Sequence, residues 1–175
     1  SVAAITELTQ TYAIDVFVVA SYGKIIPQNI LDIPRAHVLN IHPSLLPKYR
    51  GASPIQSAML ADDTHTGVSI IKLDAEMDHG PLIGPQKEVH FAEWPPYAET
   101  EKMLAENGAQ LLAQCIGGWI NRTIIEKPQQ HDLATYTKKI EKEDGLIPFE
   151  EIINIDTLPR NIRRNIFLKV QAFSV

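Results

Sequence analysis

The sequence predicts an α/β domain built on a mainly parallel sheet with helices on both faces. Three observations carry this. Residues 15–20 form a continuous β-branched and aromatic run, the pattern of a parallel strand covered on both sides. Strand-like and helix-like segments follow one another along the chain, as a layered α/β domain requires. Residues 97–119 place Leu104, Gly108, Leu111, Leu112, Cys115 and Trp119 at the spacing of one buried helix face.

The remaining elements fall around these. Residues 3–13 read as a short helix, 21–27 as a loop and 27–31 as one helical turn. Residues 37–42 are the next strand, too close to the last for a long crossover helix. Ser53-Pro54 opens a helix that runs to Leu60, with serine as N-cap and proline in the first helical position. Residues 66–73 are a strand with Val68, Ile70 and Ile71 on its core side. An acidic turn, 74–80, leads to a further strand over 81–91, roughly antiparallel to its predecessor. Residues 128–140 are irregular to extended. A final amphipathic helix, 158–173, carries Arg160, Arg163, Arg164 and Lys169.

Composition narrows the class. The 175 residues suffice for one α/β domain, and 45% hydrophobic content is ordinary for a globular chain. No apolar run approaches the roughly 20 residues of a membrane span. No basic region followed by an apolar block marks a secretory signal. A single cysteine excludes an internal disulfide, which favours a reducing, cytoplasmic setting. The net charge of −5 argues against a dedicated nucleic-acid module, but not against a catalytic domain whose RNA contacts lie elsewhere. The chain enters a helical pattern directly after Ser1 and ends at Val175 just beyond another, so both ends read as cuts in a longer protein.

The chemistry concentrates in Asn40-Ile41-His42-Pro43-Ser44-Leu45-Leu46-Pro47. Asn40 and His42, two residues apart, project from one side of a strand. They stand at a strand's carboxyl end, where open α/β sheets bind ligands. An amide can donate to a developing oxyanion, and an imidazole can move a proton near neutral pH. Asp78, in Met77-Asp78-His79-Gly80, adds a carboxylate from a second turn. The three suit acyl transfer to an amine without a covalent enzyme intermediate. Each alone also fits a plainer role: His42 as a satisfied structural group, Asp78 as a turn residue bonding its own backbone. Leu45 and Leu46, two leucines in an exposed turn, read as lining for something apolar and flat. His65 and His79 lack zinc-site spacing, so no metal is expected. Cys115 reads as core. No glycine-rich phosphate loop is present. The basic side of the last helix reads as a solvated face, with an RNA or domain contact as the alternative.

NIHPSLLPKYRGASPIQSAML, followed by TGVSIIKLDAEMDHGPLI, resembles the formyltransferases that use 10-formyltetrahydrofolate, and the upstream VVASYGKIIP matches their preceding strand and folate loop. The resemblance runs over about residues 14–149, with a weaker tail to 175. ATYTKKIEKEDGLIPF resembles the segment closing the catalytic domain in members that formylate methionyl-tRNA. The resemblance implies a Rossmann-like formyltransferase fold with its N-terminal strands missing. It implies a partial catalytic domain over 1–150, and over 151–175 a terminal helix starting a linker to an absent C-terminal domain. It further implies Asn40, His42 and Asp78 as catalytic residues. Ser44, Leu45, Leu46 and Pro47 correspond to the folate-binding turn. Gly23, Lys24, Ile25 and Ile26, with Asp74, Ala75, Glu76 and Met77, correspond to two backbone segments that cradle the pterin. The donor so implied is 10-formyltetrahydrofolate and the acceptor is methionyl-tRNA. Protonated His42 would stabilise the oxyanion beside Asn40 and protonate the leaving N10, while Asp78 holds His42 and, through water, helps deprotonate the amine. His79 stands where a small residue is more usual. Glycinamide ribonucleotide or an amino sugar nucleotide as acceptor, hydrolysis of formyl-folate, and a non-catalytic folate-binding or interaction module are the alternatives.

Overall fold

The computed structural model of the chain describes residues 1–147, 151, 152, 156 and 160–173. Helix α1 (Val2–Thr11) leads to strand β1 (Phe17–Ala20), a single helical turn α2 (Gln28–Leu31) and strand β2 (Val38–His42). Strand β3 (Arg50–Gly51), helix α3 (Pro54–Leu60) and the long strand β4 (His65–Lys72) follow. Then come β5 (Leu82–Ile83), β6 (Lys87–His90), helix α4 (Tyr97–Ile120), β7 (Glu126–Lys127), β8 (Tyr136–Thr137) and helix α5 (Arg160–Phe173). The main sheet has the order β1-β2-β4-β5-β7, with β6 also paired to β4, while β3 and β8 form a separate two-stranded ladder.

The α/β class is that expected, and strand direction within it is mixed. β1 and β2 are parallel, as are β3 and β8; β4 is antiparallel to β2, β5 and β6, and β5 to β7. Among the described residues the parallel arrangement in the main sheet is thus confined to β1–β2. The expected strand over 81–91 is two short strands, both antiparallel to β4. β1 is not covered on both faces either: it is an edge strand here, and Val18 is 41% exposed.

The two faces of the sheet are used differently. On one, Leu39 and Ile70 pack with Ile83 against Leu111, Cys115 and Trp119 of α4, with Ile41 and Ile124 alongside. Further along, Val68 packs with Ile55 and Met59 of α3, Leu104 of α4, and Leu168 and Ala172 of α5. Burying each large aliphatic side chain contributes roughly 1.5–3 kcal/mol, so this double layer supplies much of the driving force. On the opposite face, Ile71 and Leu82 are covered not by a helix but by Leu46. Ile70 and Ile71 therefore serve separate clusters, as adjacent strand residues must, and do not share the single core side expected.

Two smaller expectations change. Ser53 does not cap α3 with its side chain; its hydroxyl instead accepts the Ile140 N–H at 3.2 Å. The expected start of the last helix at Leu158 and the boundary at residue 150 lie outside the described residues. α5 joins the shared core, and Arg164 clamps it to Asp62 through two hydrogen bonds of 3.0 and 2.6 Å.

Candidate active site

Strand alternation decides which β2 side chains leave the core. Leu39 and Ile41 face α4, so Asn40 and His42 point the other way. The 74–80 turn then folds back beside β2 because Gly80 lies against β4. A Cβ there would sit 1.8 Å from the Lys72 carbonyl oxygen. Asp78 itself takes a positive φ of 48°, a conformation Asp tolerates better than most residues.

The result is convergence. Asn40 Nδ2 donates to Asp78 Oδ1 at 3.3 Å. His42 Nδ1 lies 3.6 Å from Asp78 Oδ2. The Gly51 N–H donates to that same Oδ2 at 2.8 Å. A carboxylate only accepts, so the amide nitrogen of Asn40 must face it, and the second hydrogen on that nitrogen remains for another acceptor. On the far side of the ring, His42 Nε2 is 3.0 Å from the Tyr49 carbonyl. A carbonyl also only accepts, so Nε2 carries the hydrogen and a neutral ring leaves Nδ1 basic, facing Asp78. His42 is 3% exposed. Burial pushes its imidazole pKa down from the usual 6.5, the Asp78 charge and the Tyr49 carbonyl pull it up, and Arg50 pushes it down again; the net direction is downward. That direction favours the neutral ring.

The three residues stand at the edge of a cleft of about 490 Å³, within the size range of small-molecule sites. Gly23, Lys24, Ile25 and Ile26 line it together with Asp74, Ala75, Glu76 and Met77. Val19, Leu31, Ile55 and Leu104 contribute apolar lining. Residues 44–47 depart from expectation, because none of them lines the cleft. Leu46 is 2% exposed against Ile71 and Leu82, and its N–H donates to Ser69 Oγ at 3.1 Å. Ser44 is fully buried, donating to the Lys48 carbonyl at 2.6 Å and accepting from Ser69 Oγ at its own carbonyl at 2.6 Å. The apolar face of the sheet draws the turn inward, and the turn braces β2 and β4. Among the described residues no cluster of three or more His, Cys, Asp or Glu is placed to hold a metal, and no helix is long and apolar enough to cross a membrane.

A family profile described as formyl transferase matches residues 2–116, more than half of the chain. The chain belongs to the formyl transferase family. It is 42% identical over 144 residues to the methionyl-tRNA formyltransferase of Sulfurihydrogenibium sp. (strain YO3AOP1), covering 80% of this chain and 46% of that one. It is 43% identical over 137 residues to the methionyl-tRNA formyltransferase of Thermotoga maritima, covering 78% and 44%. The chain thus spans rather less than half the length of these relatives. Among solved structures, HypX from Aquifex aeolicus in complex with tetrahydrofolic acid superposes with a TM-score of 0.80 at 16% identity, over 99% of this chain and 28% of that one. The formyltransferase PseJ from Anoxybacillus kamchatkensis superposes with a TM-score of 0.65 at 23% identity, over 89% and 78%. At those identities the likeness is one of fold.

Several groups at the cleft carry no signal in the local sequence. The Gly51 N–H is a backbone group presented by β3, and Gly51 has a φ of 112°. Gln129, 5% exposed, donates to the carbonyls of Asp78 and Gly80 at 2.9 and 2.7 Å from 51 and 49 residues away. Tyr97 and Glu101 of α4 also line the cleft. Burial and a 2.7 Å bond to Glu101 push the Tyr97 hydroxyl up to about 12, so it remains a donor. The His79 side chain is 30% exposed. It pairs with Asp74 through Nδ1 at 2.7 Å and stacks on His131 at 4.1 Å.

Proposed function

We propose that this chain carries the centre that transfers a formyl group from 10-formyltetrahydrofolate to the amino group of methionyl-tRNA. Family membership and the identity to methionyl-tRNA formyltransferases support the reaction class and the acceptor. One observation of geometry carries the mechanism: Asn40, His42 and Asp78 converge at the edge of one cleft. The cleft fits the donor in kind. Its lining combines apolar side chains such as Val19, Leu31, Ile55 and Leu104 with the turns at 23–26 and 74–77.

In this reading the folate supplies an activated formyl carbon, which the acceptor amine attacks. Asn40 gives its free Nδ2 hydrogen to the carbonyl oxygen as negative charge develops there. One such donor is worth about 3–4 kcal/mol in the transition state. His42 Nδ1, neutral at rest, accepts the proton that the amine loses. Asp78 stabilises the imidazolium so formed. When the carbon–N10 bond breaks, His42 returns the proton to N10, and the site ends in the state in which it began. Proton transfer of this kind contributes roughly 10²–10⁴-fold. Residues 1–150 are then a partial formyltransferase catalytic domain.

Purified full-length protein supplied with formyl-folate and methionyl-tRNA tests the reading. Formyl-methionyl-tRNA should accumulate. Formylation only of other amines, or formate release without any acceptor, would contradict it.

A further inference from the structure

Among the described residues Arg50 is the largest side chain to be fully buried, at 1% exposure. A buried guanidinium ordinarily requires a carboxylate. Among the described residues Arg50 forms no ion pair. Its partners are all neutral acceptors. Nε and Nη2 donate to Gln129 Oε1 at 3.2 and 2.7 Å, Nη2 also reaches His131 Nδ1 at 2.9 Å, and Nη1 donates to the Tyr136 hydroxyl at 3.2 Å. The guanidinium carbon lies 5.8 Å from the centre of the Tyr136 ring.

Those contacts have a direction. Two guanidinium nitrogens fix the oxygen end of the Gln129 amide, so its nitrogen end must point away. That nitrogen donates to the Asp78 and Gly80 carbonyls. Asp78 is thereby held at both ends, its carboxylate by Asn40 and the Gly51 N–H, its backbone by Gln129. We propose that Arg50 and Gln129 are positioning residues of this centre: the buried guanidinium orients the Gln129 amide, and the amide locks the Asp78 turn beside His42. This rests on the proposed formyl transfer and adds the groups that set its geometry.

The unpaired charge has a second effect. Arg50 opposes a proton on His42, whereas Asp78 favours one. Among the described residues these are the charged groups acting on the ring. Behind Arg50 stand His131 and Tyr136, with His79 stacked on His131 and Asp74 bonded to His79. Burial does most to favour the neutral ring that accepts a proton, and Arg50 adds a smaller push in the same direction.

The test uses the full-length protein with three substitutions. Gln129→Met removes the amide without changing charge. It should lower kcat by up to about 100-fold, the cost of a small misplacement, and leave the acid limb of the pH–rate profile in place. Arg50→Gln keeps hydrogen-bonding capacity but not charge, so it should lower kcat and move the acid limb to higher pH. Arg50→Lys keeps charge but loses the fork, so it should lower kcat with the limb unmoved. A merely structural role would lower activity in proportion to folded protein and shift no limb. Wild-type kcat in folded Gln129→Met, or an unmoved limb in Arg50→Gln, overturns the inference. NMR titration of the His42 ring in wild type and Arg50→Gln gives a readout free of activity. Should wild type transfer no formyl group, the functional reading falls, while an unshifted His42 titration separately defeats this one.

Discussion

His42 is held by opposite demands. Its burial rejects a proton, yet its neighbour Asp78 stands ready for one. That balance suits a group that must take up a proton in passing and give it back. The linkage to stability follows from the downward shift. The unfolded ring, near 6.5, binds a proton more readily than the folded one, so His42 stabilises the fold above that pH. The contribution is lost as pH falls from about 6.5 toward the depressed folded value. The urea midpoint of wild type should therefore drop between pH 7.5 and 5.5 more than that of His42→Gln; equal drops would contradict the assignment. At Asn40 the substituted atom matters more than the space. Asn40→Asp replaces a donor by a negative charge beside Asp78 and beside a developing anion, so transfer should fall by at least about 100-fold in a formylation assay.

At the scale of elements, turns position the site as much as strands do. Gly80 permits the turn to lie on β4. Gly80→Ala drives a methyl into the Lys72 carbonyl and should cost about 1–3 kcal/mol by thermal denaturation while also depressing transfer. Ser69 ties β4 to the 44–47 turn. Its hydroxyl donates to the Ser44 carbonyl and accepts from the Leu46 N–H at 3.1 Å and Gln86 Nε2 at 2.7 Å. Ser69→Ala leaves a buried N–H unpaired and should cost about 1–3 kcal/mol in urea denaturation. These two elements also mark what was readable from the chain alone. Alternation along β2 was enough to place Asn40 and His42 together, and the acidic turn was visible as a turn. The fate of Leu45 and Leu46 was not, because an exposed proline-rich turn and one folded onto an apolar sheet face share the same local pattern. Only Ile71 and Leu82, brought together by pairing, distinguish them. Gly51 and Gln129 were invisible for a related reason: their contacts to Asp78 join segments 27 and 51 residues apart.

At the scale of the whole molecule, stability and chemistry overlap only in part. α4, α3 and α5 build the hydrophobic layer on one face of the sheet, and of that layer Ile55 and Leu104 also line the cleft. Leu168→Ala in α5 should cost about 2–5 kcal/mol by urea denaturation and leave the folded protein's transfer rate nearly unchanged, since Leu168 touches the core and not the cleft. In the proposed mechanism Asn40, His42 and Asp78 act as a single chemical unit, and residues acting as a unit do not contribute independently. The most direct test is single-turnover formyl transfer by full-length protein carrying His42→Ala, Asp78→Ala and both together, with folate affinity measured alongside. The double variant should be no slower than the slower single one, and all should bind folate as wild type does. Losses that multiply, or that track a loss of folate binding, would contradict the account.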